Sequence, residues 1–346
     1  MSYTNGLDKP TDYFETVTYT GTGSSLSISS LDFSPDFTWI KVRSNGTHGH
    51  NLFDIVRGVN KPLSTESTGA EGNDSSGSLT SFNSDGFTLG GFYNKVNQSG
   101  ETFVSWNWLG ANGTASNTDG SITSTVSANT TSGFSIVSYT GTGSAGTLGH
   151  GLGSTPKMII VKCRSDADTW AGYHVDVGAT KYMELDTTAA AQTSTQPWND
   201  TEPTSSVFTV GNWSATNGSS RTYIAYCFAE KKGFSKAFSY TGNGSTDGSF
   251  CYLGFRPAFI LLKNADRAEN WFMFDNKRDT YNVADAYLNA DASTAETTLA
   301  TVDFLSNGFK IRTSGAYANF SGSNIIGIAF AESPLVGTNN TPATAR

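Results

Sequence analysis

Three runs of the chain are apolar almost without interruption until a lysine closes them: Phe37-Thr38-Trp39-Ile40-Lys41, Met158-Ile159-Ile160-Val161-Lys162 and Phe259-Ile260-Leu261-Leu262-Lys263. Runs of this length and composition suit strands covered on both faces. Other segments alternate. Phe134-Ser135-Ile136-Val137-Ser138-Tyr139 ends at a Gly-rich turn, and Val104, Trp106 and Trp108 are spaced by Ser105 and Asn107. The corresponding stretches Tyr223 to Phe228 and Ile325 to Phe330 complete a set of strands expected in sandwich cores. Asp85-Gly86-Phe87 and Asn307-Gly308-Phe309 place tight turns before further strands. Helix signals are scarce. The best, Ala284 to Ala300, is Thr-rich with weak apolar spacing, which predicts a turn or two at most.

These signals recur with a period of about a hundred residues, and the recurrence extends to single residues. Tyr19, Tyr139 and Tyr240 open YTGTG, YTGTG and YTGNG; Pro35, Pro156 and Pro257 follow after sixteen or seventeen residues; Lys41, Lys162 and Lys263 lie six further on; Phe87, Phe208 and Phe309 lie fifty-two after each Pro. The pattern predicts an all-β chain of three tandem antiparallel β-sandwiches of jelly-roll or concanavalin-like type. Its expected limits are an N-terminal arm at 1–12, repeats at 13–110, 134–233 and 234–334, an extended linker at 111–133 poor in large apolar residues, and a polar tail at 335–346. A repeated lysine at the end of a buried strand is expected to serve the shared fold, its stem packed and its ammonium paired or exposed.

Composition narrows the function classes. Charged residues make up 15% of the 346, against roughly 25% in an average globular protein, and aromatics make up 12%. A formal net charge of −8 offers no basic field for nucleic acid. No apolar stretch is long enough to cross a membrane as a helix, and the first residues lack the pattern of a signal peptide, so a protein made in the cytoplasm is expected. Cys163, Cys227 and Cys251 fall at non-equivalent places and read as free, buried thiols.

Candidate chemistry is sparse. No nucleophile elbow, zinc-protease, phosphate-loop or dinucleotide motif occurs. His48-Gly49-His50 could form one edge of a metal site but lacks partners at ligand spacing, so a solvated loop pair is expected. Asp54 and Asp275 share an equivalent position that His174 fills in the second repeat, and no carboxylate pair for glycoside hydrolysis is legible. Asp166 and Asp168 read as solvated turn acids, not calcium ligands. No catalytic, cofactor or metal site is therefore expected. Recognition is expected where the copies differ, in loops carrying Trp170, Tyr173, Trp198, Trp213 and Trp271, whose rings could stack on sugars; Trp39, Trp106 and Trp108 read as core.

The segments DKPTDYFETVTYTGTG, DFSPDFTWIKVRS, SDGFTLG, NTDGSITSTVSANTTSGFSIVSYTGTG and AFAESPLVGTNNTPATAR resemble a repeated domain of unknown function found in tailed bacteriophages, notably marine and cyanobacterial ones. The resemblance covers nearly the whole chain. It implies a tail-fibre-like virion protein, displayed on the particle surface after assembly in the host cytoplasm, with a lectin-like β-sandwich and no catalytic residues. The chain lacks the heptads or β-helix of a long-fibre stalk, which favours a compact knob, a short side fibre or a capsid decoration. The leading expectation is non-enzymatic adhesion to host-surface glycans by an oligomer, trimeric by analogy. A structural role as head fibre, capsid cement or tail adaptor is the alternative, with the terminal arms strapped to other virion proteins. A polysaccharide depolymerase is disfavoured.

Overall fold

A computed structural model of the chain describes residues 7–74, 77–91, 93–337 and 342–344. Strands dominate, and the helical segments among the described residues are single turns: Pro10–Asp12, Asn94–Asn97, Ser214–Asn217 and Ala316–Asn319. Every strand pair within the sheets is antiparallel.

Three sandwiches follow one another along the chain. In the first, a sheet ordered Phe14–Thr20, Thr102–Trp108, Phe37–Val42, Asn51–Asp54, Gly58–Leu63 packs on the small sheet Leu26–Ile28, Gly86–Leu89, Leu79–Asn83. In the second, the corresponding large sheet is widened to eight strands and packs on the pair Gly146–Gly149 and Val207–Val210. The third is one continuous eight-stranded sheet that curls from Ser235–Thr241 round to Phe250–Tyr252 and encloses its own core. Phe87, Phe208 and Phe309 each lie in one of these three local cores.

The alternation of side chains across a strand explains the uninterrupted apolar runs. Ile40 and Val42 point into the first local core, Ile159, Val161 and Cys163 into the second, and Ile260 and Leu262 into the third. The intervening residues Phe37, Trp39, Met158, Ile160, Phe259 and Leu261 point the other way and meet in a fourth core shared by all three sandwiches. Trp106, Trp108, Phe134, Tyr226, Phe228 and Phe330 join them there. Ring centroids of Phe37 and Tyr226 lie 4.4 Å apart, those of Phe14 and Phe330 4.9 Å apart, and those of Trp106 and Phe259 5.6 Å apart. Each of these pairs joins different sandwiches.

The structure corrects one sequence expectation and adds detail to two others. The 111–133 stretch is not a free linker: Ser124–Asn129 pairs along Phe134–Thr140, and Ala115–Asn117 adds a further strand outside it. Its two large apolar residues, Ile122 and Val126, are buried in the second core. Ala284 to Ala300 contains no helix, because Ala284–Asn289 and Thr297–Leu305 are strands whose inward residues close the third core. The described parts of both terminal segments dock on this chain itself. Leu7 is buried in the common core, Arg256 donates to the Thr344 carbonyl, and Ala343 N donates to Leu335 O. Residues 1–6, 338–341 and 345–346 of the expected arm and tail lie outside the described residues.

Candidate functional site

The common core decides where the expected sugar-binding aromatics go. Trp170 and Trp271 are 0% and 1% exposed and belong to that core; Tyr173 and Trp198 are 2% exposed and pack edge-on in the second local core. Trp213 alone of the five is half-buried, tilted against Tyr182 at 4.8 Å. A ring without exposed face cannot stack on a sugar, so the expected aromatic platform is not assembled.

Trp170 and Trp271 serve the junctions between sandwiches instead. Trp170 Nε1 donates to Ser64 O of the first sandwich at 2.9 Å, and Trp271 Nε1 donates to Glu184 O of the second at 2.9 Å. The first sandwich has His50 at the same position, and its Nε2 lies 2.8 Å from Asn289 O of the third. Trp39 Nε1 donates to His50 Nδ1, which assigns the proton to Nε2. The ring of contacts closes: first to third, second to first, third to second. His50 is thus a buried joint, not one of a solvated pair, and burial drives its pKa down to about 3. His150 and His174 likewise accept a backbone N–H at Nδ1 and face a carbonyl from Nε2. None of these three imidazoles is placed as a general base.

The repeated lysines follow the same circuit. Lys41 donates to Ser293 O, Lys162 to Thr68 O and Lys263 to Thr188 O, each in the neighbouring sandwich, besides carbonyls of their own. All three are buried, and among the described residues their ammonium groups form no ion pair. Desolvation pulls Lys41 and Lys263 down to about 8, and Lys162 in the same direction. Beside them, Arg43 pairs with Glu296 and Arg164 with Glu71, while the third junction has Ala265 and Ala191. Asp54 binds Arg57 and accepts from Tyr226 of the second sandwich; Asp275 binds Arg278 and accepts from Trp106 of the first. Asp36 and Asp291, both raised to about 6 by burial, accept the backbone N–H groups of Gly110, Asn112 and Trp271. Asp166 and Asp168 both face Arg221. These groups brace the fold, and among the described residues no three His, Cys, Asp or Glu side chains come together as a metal-binding group.

The surface opens elsewhere, where the second and third sandwiches meet. The edge strand Phe250–Tyr252 turns Cys251 into the third core and leaves Phe250 and Tyr252 outside, 46% and 53% exposed. They line a groove of about 440 Å³ with Lys236, Ser239, Glu230, Lys157 and Asp176. A neighbouring cleft of about 550 Å³ shares Tyr252, Lys236 and Glu230 and adds Lys231, Lys232 and Leu335. Lys236 Nζ donates to Tyr252 O at 2.7 Å and lies 5.6 Å above its ring, which fixes the wall between the two. Burial raises the Glu230 pKa, while Lys236 and Lys157 pull it back.

The second sandwich shows why this place is open only in the third. Register equates Tyr252 with Gly149 and Phe250 with Thr147. A Cβ on Gly149 would lie 1.8 Å from Asn117 Oδ1, since the 111–133 stretch already covers that position. In the first sandwich the outward neighbours of Ile28 are Ser27 and Ser29. Sequence reasoning missed Phe250 and Tyr252. The available signal was the motif Ser249-Phe250-Cys251-Tyr252, with aromatics two apart where the other copies have Ser, Thr or Gly.

Residues 9–334 match the model of a family described as Domain of unknown function (DUF7483). The chain belongs to the DUF7483 family. The matched span takes in all three sandwiches and every junction described above, leaving only Leu7 of the common core and Leu335 and Val336 of the second cleft outside it. No curated protein matches the chain.

Proposed function

We propose that this DUF7483 protein is a non-enzymatic surface component of a tailed-phage particle that holds host-envelope saccharide in the cleft between its second and third sandwiches. The observation that carries the reading is the exposed pair Phe250 and Tyr252 on a rigid edge strand, flanked by carboxylates and ammonium groups. Aromatic faces stack on pyranose rings while charged and amide groups take their hydroxyls. The phage setting rests on the resemblance of the motifs quoted above. Weak sites displayed in several copies on one particle hold by raised effective concentration, which suits an oligomer or an array.

The test is retention on immobilised bacterial envelope polysaccharide by the parent and by a Phe250→Ser, Tyr252→Gly double variant, which copies residues standing at the equivalent positions of the other sandwiches. Loss of retention with an unchanged melting temperature supports the reading. Equal retention by both overturns it. A second reading, a rigid structural adaptor, is favoured by the closed circuit of three junctions, which gives one chain an approximately threefold body able to sit on a threefold partner. That reading expects no polysaccharide retention, and labelling of the intact particle away from its host-contacting end.

A further inference from the structure

We propose that the cleft selects acidic saccharides, those carrying carboxylates on the sugar ring, over neutral ones; this rests on the saccharide reading above. Four lysines, Lys157, Lys231, Lys232 and Lys236, line the two adjoining chambers against two carboxylates, Glu230 and Asp176. The local excess is positive in a chain whose formal net charge is −8. Lys157, Lys231 and Lys236 form no ion pair among the described residues, so their charge is not neutralised by a carboxylate of the fold, although Lys236 also donates to the Tyr252 carbonyl. The contrast with Lys41, Lys162 and Lys263, which are buried against carbonyls, shows that the two lysine sets have different tasks.

The arrangement divides the work by chemistry. Tyr252 at the shared wall and Phe250 in the smaller chamber offer flat apolar faces for the C–H face of a ring. Ammonium groups on either side reach a ring carboxylate from both chambers, and Glu230 and Asp176 accept hydroxyl protons. Lysine is a mobile point charge, not a fixed fork, so the cleft discriminates by charge and tolerates variation in linkage. An exposed carboxylate–ammonium contact is worth little singly, and selectivity arises because a chain of acidic sugars meets several at once.

The experiment is titration of the full chain with tetragalacturonate and with maltotetraose, at low and at high ionic strength. The parent should bind tetragalacturonate about tenfold more tightly, as two or three such contacts predict, and salt should erode the advantage. A Lys157→Gln, Lys231→Gln variant should bring the two sugars to within about twofold, while Phe250→Ser should weaken both. Equal binding of the two sugars by the parent, still lost in Phe250→Ser, sinks the acidic preference and leaves the saccharide reading standing. Binding of neither sugar sinks both. Tetragalacturonate binding that is indifferent to Phe250→Ser and matched by inorganic polyphosphate identifies a bare charge effect and also overturns the proposal.

Discussion

Replacing Trp170 by Ala tests the common core directly. The indole is fully buried, packed among residues of three sandwiches, and its Nε1 donates to Ser64 O at 2.9 Å. Truncation to Ala leaves a cavity that neighbouring side chains fill only in part, a loss of about 3–5 kcal/mol for a buried Trp. It also strips the indole donor from the Ser64 carbonyl, at about 1–3 kcal/mol if that group stays dry. Trp170→Phe separates the two: the ring is largely restored, so most of its cost, about 1–3 kcal/mol, is that of the carbonyl. Either figure is a large share of the 5–15 kcal/mol typical of a folded protein.

The assay is urea denaturation followed by far-UV circular dichroism and tryptophan fluorescence. Because the wall that Trp170 fills is built from all three sandwiches, the midpoint of the whole transition should fall, with the two probes still coincident. An early transition confined to one third of the signal would refute the shared core. So would a Trp170→Ala protein within about 1 kcal/mol of the parent; the side chain would then be at the surface.

The junction charges give a second prediction: Arg57→Leu leaves Asp54 buried without its partner and should cost about 3–5 kcal/mol, whereas Asp54→His with Arg57→Val, which copies His174 and Val177, should recover at least half in the same urea titration. Stability should rise as pH increases from about 8 towards 9.5, because the folded state holds Lys41 and Lys263 at about 8 and the unfolded chain near 10.4. In that window the unfolded state carries more protons, so folding gains up to about 1.4 kcal/mol per pH unit for each lysine, and a Lys41→Met variant should show a shallower rise. A flat profile in the parent would contradict the burial of these ammonium groups. Asn217 accepts from Thr142 N and donates to Ser144 O and Gly211 O, so Asn217→Ala should lower thermal stability by about 2–4 kcal/mol; an unchanged melt would show the YTGTG turn to be self-supporting.

Much of the fold was legible because strands announce how many of their faces are covered. The run Met158 to Val161 shows two buried faces, and the alternation at Trp106 and Trp108 shows strand geometry. What covers the second face is not written locally. A stacking sheet and a sibling sandwich impose the same apolar pattern, so Trp170 and Trp271 looked like loop residues free to bind. Ser124–Asn129 was hidden by its composition, since only Val126 and the nearby Ile122 supply large side chains to the second core. Thr-rich Ala284 to Ala300 tolerates either state, and pairing of Ala284–Asn289 with Thr297–Leu305 made part of it strand. Asn97, Asn217 and Asn319 were overlooked although each binds the YTGxG turn; the signal is an Asn followed three residues later by Gly100, Ser220 or Gly322 at positive φ.

The three junctions are built alike in backbone but not in charge, and chain connectivity explains the difference. Nothing covalent joins the third sandwich back to the first, and there the Asp275, Arg278, Glu296 and Arg43 cluster holds the contact. The first and second are connected through some twenty residues, and Asp54, Arg57, Glu71 and Arg164 form the matching cluster. Between the second and third only Gly233 intervenes, at φ 76–78° like Gly133 before it. So short a tether keeps the two surfaces at high effective concentration, and His174, Val177, Ala191 and Ala265 suffice where the others need four charges. Relieved of that cluster, the outer rim of this junction carries its lysines and carboxylates towards solvent, which is where the Phe250 and Tyr252 cleft opens. The asymmetry of the repeats thus leaves the Phe250 and Tyr252 cleft at the junction that the chain itself already holds shut.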